Sequence, residues 1–203
     1  MIGEWEKETG KKATVALSAT KDVQDAILND TQRAKLVDII DIRYWHYKVD
    51  GLYAPEGGKN LAPRQHARKM KVGKVTFDEA YRAVSEYRKK FPEKAVTYYA
   101  QNYPDMAWAV FMASGSCPVV PVADESFLTD AAAMDMEDTG TNKYQKLVKS
   151  GIGSIIYSHS ATDIPVHLSP GKYILKSVDP KTGVITVIAK RLNICLLYTS
   201  PSP

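Results

Sequence analysis

The chain is poor in cysteine: of 203 residues only Cys117 and Cys195 carry a thiol. Cys195 lies in a tail treated below, which leaves Cys117 alone. One thiol supports neither an internal disulfide nor a thiolate metal site. In the apolar setting Cys117-Pro-Val-Val-Pro121 it reads as a small buried hydrophobe. The four histidines, His46, His66, His159 and His167, show no metal-ligand spacing. No apolar run is long enough to span a membrane. Gly151-Ile-Gly153 is no phosphate loop, because it lacks the third glycine and does not lie between a strand and a helix. No serine nucleophile elbow and no hard-cation loop is visible, so no cofactor is implied. Neither charge dominates: 27 basic and 23 acidic residues give +4. The densest basic stretch, residues 64–74, lacks a recognition motif and interleaved aromatics. It reads as a solvated face, not a nucleic-acid contact. Met1 runs directly into a segment that reads as the end of a helix, so a start inside a longer protein is expected.

The last nine residues, Cys195-Leu-Leu-Tyr-Thr-Ser-Pro-Ser-Pro203, back-translate as TGT CTC TTA TAC ACA TCT CCG AGC CCA. That string matches the mosaic end of a transposase library adaptor running into its index primer. The adaptor has one further C, which Ile194 as ATC supplies. Residues 195–203 are therefore expected to be an adaptor-derived tail, outside the fold.

What remains has the composition of a globular protein, with 44% hydrophobic and 25% charged residues. Residues 4–9 are charged and helix-prone, and Gly10 is a natural stop. Ala13-Thr-Val-Ala-Leu-Ser18 reads as a buried strand, and residues 22–29 follow at helical spacing. Leu36-Val-Asp-Ile-Ile-Asp-Ile-Arg-Tyr-Trp45 reads as a second buried strand, with a polar loop over residues 50–60. Thr76 and Glu79 have capping-box spacing ahead of a helix carrying Phe77, Tyr81, Val84 and Tyr87 on one face. Ala95-Val-Thr-Tyr-Tyr-Ala100 is a third strand, and residues 106–113 form an apolar helix. Alternating strands and helices imply parallel strands with helical crossovers. The strands are expected to be apolar on both faces.

The pattern changes after about residue 120. Residues 124–136 read as helical, and residues 136–150 as a linker. Strand signals follow at 154–158, 164–168, 172–178 and 184–188, with turns at Ser169-Pro-Gly171 and Asp179-Pro-Lys-Thr-Gly183. Short strands at this spacing suggest a β-sandwich over residues 151–194.

In a parallel α/β barrel, chemistry sits at the carboxyl ends of the strands. The first end offers Ser18, Thr20, Lys21 and Asp22. The second offers Asp41, Arg43, Trp45 and His46, then Tyr53 and Glu56 in the loop. The third offers Tyr98, Tyr99, Gln101, Asn102 and Tyr103. Aromatic faces beside amides, carboxylates and a guanidinium suit a sugar, whose C–H surfaces stack and whose hydroxyls hydrogen-bond. A structural alternative stands beside this for each group. Asp41 and Arg43 could be a buried pair inside the barrel, and Trp45 and Tyr99 could be core. Tyr81, Tyr87, Trp108 and Phe111 read as packing.

The stretches Ala16-Leu-Ser-Ala-Thr-Lys-Asp-Val-Gln-Asp25, Asp38-Ile-Ile-Asp-Ile-Arg-Tyr-Trp-His-Tyr47 and Ala62-Pro-Arg-Gln-His66 resemble the late part of the barrel in secreted glycoside hydrolases related to the apiosidase-like group. The stretch Gly171-Lys-Tyr-Ile-Leu-Lys-Ser-Val-Asp-Pro-Lys-Thr-Gly183 is similar to the collagen-binding-type β-domain that follows such barrels. The resemblance implies an α/β fold: the last three β/α units of a TIM-type (β/α)8 barrel over residues 1–135, then a truncated all-β sandwich module. It also implies a carbohydrate substrate and a secreted, periplasmic or cell-surface location. Such hydrolases work with two carboxyl groups: the resemblance implies a general acid at the end of the fourth strand, absent from this sequence, and a Glu nucleophile at the end of the seventh. Here the corresponding Asp-Ile-Arg-Tyr-Trp-His has no Glu at that end. Asp41 and Glu56 are the nearby carboxylates, and Lys21, Arg43, Trp45, His46, Tyr99, Gln101 and Asn102 are the candidate sugar contacts.

Three expectations follow. The first is a fragment of a glycoside hydrolase, itself inactive. The second is a non-catalytic carbohydrate-binding or cell-surface protein on the same barrel. The third is a small α/β domain with an interaction module. The sequence sets no oligomeric state.

Overall fold

A computed structural model describes residues 2–53, 75–99, 106–158 and 163–194. Helix α1 (Ile2–Thr9) stops at Gly10, whose φ of 67° is a conformation that favours glycine. β1 (Ala16–Ser18) leads into α2 (Lys21–Asn29) and the single-turn α3 (Thr31–Ala34). β2 (Ile39–Ile42) is followed by a hairpin, β3 (His46–Lys48) and β4 (Gly51–Tyr53). Next come α4 (Phe77–Lys90), β5 (Ala95–Tyr98), α5 (Ala107–Met112) and α6 (Glu125–Ala132). The rest is β structure: β6 (Asp135–Glu137), β7 (Tyr144–Lys149), β8 (Gly153–Ser158), β9 (Gly171–Val178) and β10 (Ile185–Ile194).

The alternating first part does make a parallel sheet, ordered β1-β2-β5. Leu17, Ile40 and Val96 stand in one row across it, and Ser18, Asp41 and Thr97 in the next. Successive residues of a strand point to opposite faces. Ile40, Ile42, Val96 and Tyr98 therefore share one face, and all four are buried. They pack with Leu28 of α2, Ala80, Val84 and Tyr87 of α4, and Met112 of α5 in one core. The other face carries Ala16, Ser18, Ile39, Asp41, Ala95 and Thr97, of which only Asp41 is buried. This corrects the expectation of strands apolar on both faces. A run such as Ile39-Ile40-Asp41-Ile42 is apolar in aggregate, but its pleat divides it into a helix-covered side and an open, more polar side.

Local chemistry explains the anchoring of α4. Thr76 Oγ1 accepts from the Glu79 N–H at 3.3 Å, and Glu79 Oε2 accepts from the Thr76 N–H at 2.7 Å. The expected capping box is thus present.

Several elements differ from expectation. The second strand ends at Ile42, and the chain folds back as the β3–β4 hairpin. Cys117 is exposed, not buried. It sits at a φ of 56° in the turn leaving α5, beyond the buried stretch of that helix. Residues 164–168 form no strand; Pro165 removes a backbone donor there. The segment read as a linker over 136–150 holds most of β6 and all of β7.

Two antiparallel sheets follow the α/β part, β6-β7-β8 and β9-β10. They rest on its helices. Tyr157 of β8 stacks on Phe77 of α4 at 4.9 Å and on Trp108 of α5 at 5.8 Å. Leu147 of β7 is buried in the same core. The turn after β9 is clipped down by Trp108 Nε1, which donates to the Pro180 carbonyl at 2.8 Å. Gly183 in that turn has a φ of 73°, and a Cβ there would lie 2.1 Å from the Pro121 carbonyl oxygen. Only glycine fits. Farther along the ribbon, Ile174, Leu175, Val187 and Ile188 are exposed.

Candidate functional site

The open face of the parallel sheet gathers its polar side chains at the carboxyl ends of the strands. Register alone puts Ser18 of β1 and Thr97 of β5 on either side of Asp41 of β2. Asp41 Oδ2 accepts from Ser18 Oγ at 2.7 Å and from Arg43 Nε at 2.8 Å. Asp41 Oδ1 accepts from Thr97 Oγ1 at 3.1 Å. Three donors engage the carboxylate, and the Asp41 side chain is only 11% exposed. Arg43 is its outward partner, with a side chain 43% exposed. The Arg43 guanidinium lies over the Tyr99 ring at 4.8 Å, a cation–π arrangement. Asp41, Arg43 and Tyr99 thus form one continuous polar-aromatic surface. The carboxylate is buried and the guanidinium reaches solvent.

Beneath this surface lies a second, buried network. Gln24 of α2 is fully buried and uses its whole amide. Its Nε2 donates to the Leu17 and Asp41 carbonyls, each at 2.9 Å. Its Oε1 accepts from Trp45 Nε1 at 2.7 Å. Gln24 therefore ties the ends of β1 and β2 together and orients Trp45. The Trp45 ring is 3% exposed and meets Tyr47 and Tyr87 edge-on at 5.5 and 5.9 Å. It is placed as core and offers no open face to a sugar.

Lys21 stands against Trp45 and Tyr87, its Nζ 5.3 and 5.0 Å from their ring centroids. Nζ donates to Asp25 Oδ2 at 2.9 Å and Glu86 Oε1 at 2.7 Å. Tyr87 Oη donates to Asp25 Oδ1 at 2.8 Å, and Tyr47 Oη donates to Glu86 Oε2. Burial opposes the Lys21 charge, but Glu86 and Asp25 outweigh it and raise the Lys21 pKa. Lys21 is a held cation inside a structural cluster. His46 is 5% exposed. Burial, then nearby Lys48, lowers its pKa, so it is neutral near pH 7.

Of the residues nominated from sequence, Asp41, Arg43 and Tyr99 come together at the open face, while Lys21, Trp45 and His46 lie in the buried layer. Glu56, Gln101 and Asn102 lie outside the described residues, as does the basic stretch 64–74. Sequence reasoning passed over Gln24, Thr97, Asp25 and Glu86. Thr97 was within reach of it, since pairing the three apolar runs in register sets Thr97 opposite Asp41. Among the described residues, no group of three or more His, Cys, Asp or Glu is placed to hold a metal ion. No helix among them is long and apolar enough to cross a membrane.

A family model described as a domain of unknown function, DUF6298, matches residues 1–134. The chain belongs to the DUF6298 family. The DUF6298 region holds the whole parallel sheet and every side chain of the two networks above. No curated protein matches the chain, and neither does any solved structure.

Proposed function

We propose that the DUF6298 region is the carboxyl-terminal part of a (β/α)8 barrel that binds carbohydrate, within a secreted glycoside hydrolase. One observation carries this reading: among the described residues a parallel sheet is covered by helices on a single face, and its other face ends in Asp41, Arg43 and Tyr99. A barrel needs that asymmetry, because its helices ring the outside and its inward side chains line the axis. β1, β2 and β5 stand side by side in the order the chain makes them, as barrel strands do, with the β3–β4 hairpin inserted between β2 and β5. A guanidinium over an aromatic ring, held by a carboxylate, supplies both the stacking surface and the hydrogen bonds that a sugar uses.

The engagement of Asp41 shapes the mechanism. A carboxylate that already accepts from Ser18, Thr97 and Arg43 has few lone pairs left for an incoming proton or anomeric carbon. Asp41 holds Arg43 in place, which leaves Glu56, outside the described residues, or carboxylates elsewhere in the barrel as the alternatives for the hydrolytic pair. The same engagement favours a second reading, in which the barrel binds sugar without hydrolysing it.

The source DNA tests the barrel. The reading frame upstream of Met1 is expected to encode further strand–helix units. A carboxylate at the end of the fourth barrel strand means a hydrolase, and its lack means a binder. A frame with no such units contradicts the barrel.

A further inference from the structure

We infer that Arg43 receives the carboxylate of an acidic sugar, so that this face prefers uronic acid residues to their neutral counterparts. The inference rests on the carbohydrate reading above and names its substrate class. Arg43 is bound to Asp41 through Nε, at 2.8 Å. Its two terminal nitrogens make no hydrogen bond to the described residues. A guanidinium held by its Nε edge still presents the end-on fork of parallel N–H groups. That fork matches a carboxylate in two parallel hydrogen bonds.

The neighbours narrow the choice. The Ser18 and Thr97 hydroxyls spend their protons on Asp41, so each offers a ligand only lone pairs. Lys21, the other cation at the strand ends, is 8% exposed and committed to Asp25 and Glu86. His46 is neutral. Arg43 is therefore the exposed cation at the ends of the described parallel strands. Asp41 does not cancel it. A ligand carboxylate on the fork sits against the guanidinium but roughly twice as far from Asp41, so attraction exceeds repulsion. Tyr99 and Asp41 also fix the guanidinium beforehand, which lowers the ordering cost of binding.

The test uses the 203-residue chain and two matched sugar pairs. These are methyl β-D-glucuronide with methyl β-D-glucoside, and methyl α-D-galacturonide with methyl α-D-galactoside. Affinities are read by NMR titration. In at least one pair the acidic sugar is expected to bind roughly tenfold tighter, the worth of a charge-assisted hydrogen bond. Arg43→Lys keeps the charge and the packed stem but loses the fork, and Arg43→Gln loses both. The preference is expected to shrink in the first and fall to about one in the second, with circular dichroism unchanged. Equal binding of acidic and neutral sugars overturns this inference and leaves the carbohydrate reading standing. An acidic preference that survives in Arg43→Gln also overturns it. Binding of no sugar in either pair overturns both.

Discussion

The buried amide of Gln24 shows how a single residue sets the geometry of this face. It satisfies two strand-end carbonyls and the indole of Trp45. Leucine has similar volume and no hydrogen-bonding groups, so Gln24→Leu strands all three partners. The expected cost is about 2–4 kcal/mol of stability, read by urea denaturation. A loss within experimental error would mean that water or a shifted backbone replaces the amide. The Lys21 cluster carries a second residue-scale consequence. Burial, then Glu86, pushes Tyr47 from 10.0 up to about 12. Burial and Asp25 raise Tyr87, and Lys21 is raised as well. In each case the folded chain keeps a proton that the unfolded chain releases first. The stability these groups contribute is complete below about pH 10 and is lost as pH climbs through the raised values. Denaturation midpoints should be flat from pH 8 to about 9.5 and fall between about pH 10 and 12. A flat profile through that window contradicts the cluster.

At the scale of elements, α4 and the β9–β10 turn make opposite points. Thr76→Ala removes the hydroxyl that caps α4 and should cost about 1 kcal/mol. Gly183→Ala forces a side chain into the left-handed region and against Pro121. The turn should then leave the helices, which limited proteolysis near Pro180 would detect as faster cleavage. α4 was legible in the sequence because a capping box is a local signal, written within four residues. The parallel strands were legible because each is an apolar run. Their one-sidedness was not, because it depends on which residues the pleat turns toward the helices. The β3–β4 hairpin was not, because it begins just past the apolar stretch and its second strand lies in the polar stretch that reads as a loop. β7 was lost because Gln145, Lys146 and Lys149 mask its alternation, although Gln145 and Leu147 are both buried. The site divides the same way. Asp41 and Arg43 stood out by their spacing on one strand. Glu86 did not, because it meets Lys21 across 65 residues and no local pattern records that contact.

At the scale of the whole molecule, the β part and the DUF6298 region share one core. Tyr157 lies against Phe77 and Trp108, and Leu147 joins the buried cluster around Ile40 and Val84. A chain cut after Met134 would expose those rings, and it should melt lower and aggregate more than the full chain, as light scattering on heating would show. The central claim is that ligand binds at the carboxyl ends of the parallel strands. The most direct test is an NMR titration of the isotope-labelled chain with oligosaccharides from digested plant polysaccharide. The account predicts shifts at Ser18, Arg43, Thr97 and Tyr99. Shifts confined to the β9–β10 ribbon, or none with any oligosaccharide, would contradict it.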